Sequence, residues 1–171
     1  MKMKFPLLIA AVALTELAVA RAGAQNLFVS SYATNGAIYR YTSGGAQSVF
    51  YSGLNGPAGL AFDSAGNLFE ANVGDSAIYK YTPDGAQSIF ASDVGNPIGL
   101  AFDGAGNLFA SDETNNVIYK FTPGGTKSVF ATGLDFPTGL AFNGAGDLFV
   151  SDFNSGNIYE YTSGGVQSVF A

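Results

Sequence analysis

Pro97-Ile98-Gly99-Leu100-Ala101-Phe102-Asp103, then Gly106-Asn107-Leu108-Phe109-Ala110-Ser111-Asp112, then Asn116-Val117-Ile118-Tyr119-Lys120-Phe121, decides the fold because it recurs. Pro-x-Gly-Leu-Ala-Phe begins at Pro57, Pro97 and Pro137. Ile-Tyr begins at Ile38, Ile78, Ile118 and Ile158, and Ser-Val/Ile-Phe at Ser48, Ser88, Ser128 and Ser168. Each step is 40 residues. Leu-Phe stands at Leu27, Leu68, Leu108 and Leu148, so the first repeat carries one extra residue before Ile-Tyr. Self-similarity at such a period marks a repeat architecture.

Each repeat holds four short apolar runs, typified by Gly59–Phe62 (a), Leu68–Ala71 (b), Ile78–Tyr81 (c) and Gln87–Phe90 (d). They are too short for helices and are bounded by turn residues, so they read as strands. Asp63-Ser64-Ala65-Gly66-Asn67 joins a to b and suits a hairpin with a left-handed Gly. Thr122-Pro123-Gly124-Gly125 joins c to d, and Pro followed by Gly predicts a type II turn. The runs are apolar on both faces, so both faces are covered. In strand a, Gly59 and Ala61 face one way and Leu60 and Phe62 the other, which lets bulk nest against a small side. Four-stranded up-and-down units arranged radially make an all-β fold, a β-propeller.

The quoted stretch closely resembles the NHL repeat and the wider six-bladed group of gluconolactonase-like and virginiamycin-lyase-like propellers. The resemblance covers essentially all of Gln25–Ala171. It implies a six-bladed ring, while the group mixes enzymes with binding modules. The resembling lactonases use Glu, Asn and Asp ligands around a central channel, and no residue here matches them individually. The virginiamycin-lyase-like proteins use a catalytic His, which this chain lacks. A WD40 propeller is disfavoured by the absence of Trp and His.

Composition prunes the chemistry. With no Cys and no His there is no thiolate, imidazole base or His-ligated metal. The net charge of −6 argues against nucleic acid. Met1-Lys2-Met3-Lys4, the apolar run Phe5–Leu14 and Ala22-Gly23-Ala24 read as a secretory signal peptide over residues 1–24, with Gln25 the first mature residue. Its removal takes away Lys2, Lys4, Arg21 and Glu16, leaving a net charge of −8 and no transmembrane segment. The expected location is secreted, periplasmic or cell-surface.

Residues 25–171 then divide at 25–54, 55–94, 95–134 and 135–171. The first unit starts at strand b, without a strand a, which gives fifteen strands in all. Six blades need roughly 240 residues at this period. Either the chain is a fragment of a longer product, or the array is short and self-associates through its open blade faces.

The a–b and c–d turns barely differ between repeats; the b–c and d–a loops, on the other rim, differ strongly. Variable loops on a rigid scaffold are where binding groups sit, with drift among exposed loops as the bland alternative. The rim candidates are Asn72, Asp75, Asp93, Asn96, Asp112, Glu113, Asp135, Phe136, Asp152 and Phe153. Asp112 and Asp152 end strand b, where a short polar side chain bonds loop amides. Asp63 and Asp103 read likewise. Glu70 stands out, because its equivalents are Val29, Ala110 and Val150. A carboxylate there is either a site residue, with Ca²⁺ as a possible ligand, or a liability paired with Lys80. No catalytic residue is assigned. The favoured reading is an exported NHL-repeat binding or scaffold module for a protein or carbohydrate. The alternative is a carboxylate- or cation-dependent lactonase- or lyase-like enzyme.

Overall fold

The computed structural model describes Val12–Leu14 and residues 26–171. The signal-peptide assignment over residues 1–24 therefore lies outside the described residues, save for those three. The rest forms four four-stranded antiparallel sheets, each strand pairing with the next in sequence. The first sheet is β1 (Val12–Leu14), β2 (Leu27–Ser31), β3 (Thr34–Tyr41) and β4 (Gln47–Asn55). The second is β5 (Pro57–Phe62), β6 (Leu68–Asn72), β7 (Ala77–Tyr81) and β8 (Gln87–Ala91). The third is β9 (Pro97–Phe102), β10 (Leu108–Asp112), β11 (Val117–Phe121) and β12 (Lys127–Ala131). The fourth is β13 (Pro137–Phe142), β14 (Leu148–Asp152), β15 (Asn157–Tyr161) and β16 (Gln167–Val169).

Two expectations need correction. The place of strand a in the first sheet is not empty: Val12–Leu14 occupies it, with Leu14 opposite Leu27 and Val12 opposite Val29. Phe62 pairs with Leu68 and Leu60 with Glu70 in the same way. A short apolar segment supplies backbone groups to an open edge wherever it can reach one. The c–d turn is also not type II. The amide of Gly125 bonds the Thr122 carbonyl at 2.8 Å, and the positive φ of 84° falls on Gly125, not Gly124. The turn is closed first and the left-handed Gly follows it, as Gly66 follows Asp63 in the a–b turn.

Consecutive sheets stack through a repeated joint. Phe28, Ile38 and Leu54 of sheet one meet Leu60, Leu68 and Tyr81 of sheet two. Phe69, Ala71 and Ile78 meet Leu100, Leu108 and Phe121. Phe109, Ile118 and Leu134 meet Leu148, Val150 and Tyr161. The second-strand Phe lies edge-on to two others, as Phe69 does to Phe90 of its own sheet and Phe102 of the next, both at 5.0 Å. Burial of each such ring contributes about 1.5–3 kcal/mol.

The innermost strands approach closely enough to need glycine. A Cβ on Gly59 would lie 2.1 Å from the Ile98 carbonyl oxygen, and one on Gly99 2.1 Å from that of Thr138. The same joint carries a side-chain bond: Ser30 Oγ donates to the Ala58 carbonyl at 2.6 Å, and Ser111 Oγ to that of Thr138 at 2.7 Å.

Gly99→Ala is therefore expected to destabilise by more than roughly 3 kcal/mol, since a backbone carbonyl must move. Gly104→Ala, which meets nothing within 4 Å, should stay within about 0.5 kcal/mol of the parent or gain slightly. Urea unfolding of the two variants checks the contrast.

Candidate functional site

The b–c loops of sheets two, three and four are each stitched to the preceding d–a loop by one recurring backbone bond. Val73 N donates to Gly56 O at 3.1 Å, Glu113 N to Asn96 O at 3.1 Å, and Phe153 N to Phe136 O at 3.0 Å. The bond recurs, the backbone around it varies (Gly56 and Phe136 take a positive φ, whereas in sheet three Gly95 does so in place of Asn96), and the side-chain pair changes completely. Sheet two carries Val73 beside Gly56. In sheet three, Asn96 Nδ2 donates to Glu113 Oε2 at 2.9 Å. In sheet four, Phe136 and Phe153 bring their ring centroids to 5.8 Å at an interplanar angle of 54°.

The aromatic pair is unusual on two counts. Phe153 is 70% exposed and Phe136 36% exposed. Phe136 also holds a φ of 67°, a left-handed conformation that a bulky side chain rarely adopts. Gly56 takes 71° at the matching position. Asn116 Oδ1 accepts from Phe136 N at 2.9 Å, and Asn154 Nδ2 donates to Asp135 Oδ1 at 3.0 Å. These two Asn were not among the sequence candidates; their only signal was an Asn beside a turn.

The carboxylates at the end of strand b are committed to the loops themselves. Asp112, fully buried, accepts from the amides of Asn96, Thr114 and Asn115 and from Asn115 Nδ2. Asp152 accepts from Asp135 N at 2.7 Å and from Ser155. Asn72 accepts from Asp75 N at 3.1 Å. Asp63 and Asp103 do the same work on the opposite rim, each holding the amides two and four residues on. Asp93 has a φ of 55°, and its carbonyl accepts from Lys127 Nζ at 2.8 Å. Burial raises the Glu113 carboxyl above the usual range; the bond from Asn96 opposes that rise and neighbouring Asp112 adds to it.

Glu70 lies away from this rim, in the joint between sheets one and two, and is fully buried. Tyr81 Oη donates to its Oε2 at 3.2 Å, and Gln87 Nε2 donates in turn to Tyr81 Oη at 3.0 Å. Glu70 Oε1 and the Nδ2 of buried Asn72 find no hydrogen-bond partner. Pairing with Lys80 is ruled out by strand alternation: Lys80 stands opposite Phe69 in the register and lies over its ring at 5.5 Å. Burial pushes the Glu70 carboxyl up from 4.5 to about 8, with the bond from Tyr81 and the nearby Asn72 amide pulling the other way. Among the described residues, no three His, Cys, Asp or Glu come together as a group that could hold a metal ion. A cleft of about 220 Å³ lies on the opposite rim between sheets three and four, beside Asp103, Lys120 and Phe142.

Glu70 is protonated in the folded chain up to about pH 8 but ionises near 4.5 once unfolded. Its contribution is present in full below the unfolded value and is lost as pH rises through the folded one. Between pH 5 and 8 the parent should lose up to roughly 4 kcal/mol of stability from this group. Melting curves of Glu70→Gln across that range should lack this component of the slope.

No family model matches the chain, and no curated protein does. Solved structures do. A chain of the nidogen/laminin complex superposes with a TM-score of 0.80 at 20% identity, covering 98% of this chain and 66% of that one. A protein assigned as a gluconolactonase gives 0.75 at 19% identity, covering 96% and 67%. Virginiamycin B lyase from Staphylococcus aureus gives 0.74 at 15% identity, covering 95% and 55%. The chain thus spans little more than half the length of the lyase and about two thirds of the other two. At these identities the likeness is one of fold: the chain forms four blades of the β-propeller that the NHL resemblance implied.

Proposed function

We propose that this chain is an exported binding module that meets a partner protein on the rim formed by its b–c and d–a loops. One observation carries the reading. The same backbone bond holds Val73 with Gly56, Glu113 with Asn96, and Phe153 with Phe136, so one recurring stitch presents three different chemistries. Variable side chains on a recurring scaffold are how rigid folds host recognition. The Phe136–Phe153 pair is the anchor. Two large rings left in water, one in a conformation that costs of order 1–3 kcal/mol, are retained at the expense of stability. Asp135 stands next to Phe136 and accepts from Asn154 Nδ2 beside Phe153, which favours a partner with an apolar knob flanked by a basic group. The nidogen/laminin complex, an assembly of two proteins on this fold, supports a protein partner over a carbohydrate. Export rests on Lys2, Lys4, the apolar run Phe5–Leu14 and Ala22-Gly23-Ala24.

The anchor is tested by stability and binding together. Phe136→Gly should raise stability by about 1 kcal/mol, because Gly takes a positive φ freely. A partner captured from the growth medium, identified and titrated as a pure protein, should bind this variant and Phe153→Ala at least roughly ten-fold more weakly. Asp84→Asn, on the opposite rim, should bind like the parent. If both Phe variants keep full affinity, the anchor assignment is wrong. If instead the chain is retarded in gels containing neutral polysaccharide, through the same two residues, the partner is a carbohydrate. Export has its own check: N-terminal sequencing of the secreted protein should start at Gln25, so that β1 (Val12–Leu14) is lost on maturation and β2 becomes the edge of sheet one.

A further inference from the structure

Asn-Gly occurs three times, at Asn35-Gly36, Asn55-Gly56 and Asn143-Gly144. In such a pair the glycine amide can approach the asparagine carboxamide with no Cβ in the way. The fold treats the three unequally. Gly36 and Gly56 are buried, and both amides donate to the Ala33 carbonyl at 3.0 Å. A Cβ on Gly36 would lie 2.4 Å from the Ser31 carbonyl oxygen, so the backbone there has no room to rearrange. Gly144 is exposed, and a Cβ on it would meet nothing within 4 Å. Its amide carries no hydrogen bond among the described residues.

The Asn143 carboxamide is held over that free amide. Its Oδ1 accepts from Ala145 N and Asp147 N, both at 2.9 Å. A side chain bonded to the amide two residues ahead is folded back over the peptide in between. Two amide donors on one carbonyl oxygen also draw electron density from its carbon, as an oxyanion hole does. Asn143 Nδ2 donates to Asp147 Oδ2 at 3.0 Å. Sheets two and three build the same turn with the two residue types exchanged. There Asp63 and Asp103 receive the amides, and Asn67 Nδ2 and Asn107 Nδ2 donate to them at 2.8 and 2.7 Å. Each of the three turns pairs one carboxylate with one carboxamide. Of the three, sheet four puts the carboxamide beside the free glycine amide; in sheet three Gly104 follows an ionised carboxylate, which is a poor electrophile.

We propose that Asn143 is a site of spontaneous deamidation, directed by the a–b turn of sheet four. Gly144 N attacks Asn143 Cγ. The new N–Cγ bond replaces the Cγ–Nδ2 bond, and Nδ2 leaves as ammonia with the proton that Gly144 N gives up. Water then opens the succinimide. Attack at Cγ gives aspartate, and attack at the main-chain carbonyl carbon gives isoaspartate, with the chain running through the former side chain. Either product adds one negative charge. The new carboxylate faces Asp147 Oδ2 across the gap that Nδ2 had bridged, and like charges so close repel. The reaction therefore unseats the turn that promotes it. This inference does not depend on the binding reading, because the a–b turns lie on the opposite rim.

Incubation of the purified chain at mildly alkaline pH, followed by peptide mapping, tests it. Conversion is read as the mass gained when an amide becomes an acid, with the aspartate and isoaspartate peptides separated by chromatography. In the folded chain Asn143 should convert several-fold faster than Asn35 and Asn55. In concentrated urea the three should convert at similar rates, because only the Asn-Gly sequence then acts. If Asn35 or Asn55 keeps pace with Asn143 in the folded chain, or if folding slows Asn143 as it slows them, the proposal fails. Gly144→Ala, which the open space admits, should slow the reaction several-fold. An unchanged rate in that variant would rule out attack by this amide and leave direct hydrolysis. Melting reads the effect on the turn. Asn143→Asp should melt below the parent, and adding Asp147→Asn, which restores the pairing of sheets two and three, should recover the loss. An Asn143→Asp variant that melts like the parent overturns the unseating of the turn.

Discussion

Everything in this molecule depends on how near two innermost strands come to each other. The Ile98 carbonyl lies where a side chain on Gly59 would be, and the Thr138 carbonyl where one on Gly99 would be. That approach sets the spacing of consecutive sheets, and the spacing decides which side chains can fill the joint. With the backbones this close at Gly59 and Gly99, large rings pack away from those glycines. There Phe69 of a second strand, Phe90 of a fourth and Phe102 at the end of a first interlock edge to face, as the quadrupoles of aromatic rings favour. The one-sided bulk of Pro-x-Gly-Leu-Ala-Phe follows directly: glycine and alanine towards the next sheet, leucine and phenylalanine towards the previous one.

The same constraint separates the structural polar groups from the free ones. Loops at the ends of tightly stacked strands have little room and many amides to satisfy. Asp112 and Asp152 are consumed in that task, and Asp63 and Asp103 on the opposite rim are too. What remains for recognition is the pair of side chains that each loop stitch carries outward. Recurrence of the stitch bond within one chain, and divergence of the side chains beside it, gives the rim reading its physical basis.

Glu70 departs from the pattern most sharply. It puts a carboxyl into a joint that elsewhere holds Ala110 or Val150, and there it accepts a bond from the Tyr81 hydroxyl, whereas the hydroxyl of Tyr161 at the matching place beside Val150 has no partner. Burial keeps the group protonated over much of the neutral range, which avoids the cost of a buried charge. The unpartnered Oε1 and the Nδ2 of Asn72 leave this joint less well satisfied than the other two.

Read alone, the sequence determined the period, the four strands per repeat, the up-and-down order and the division into constant and variable loops. These follow from alternation, glycine placement and spacing, which are local and survive without coordinates. It also marked Glu70 as anomalous, since three equivalent positions are apolar. Only the tertiary structure decided the rest. It decided that Val12–Leu14 pairs with β2, because edge pairing depends on which strand reaches an open ladder. It turned Glu70 away from Lys80 and towards Tyr81, because pleat direction is fixed by register and not by proximity in sequence. It brought Phe136 and Phe153 together across seventeen residues. A sequence repeats its residues without stating which side chains meet; contact is a property of the assembled stack.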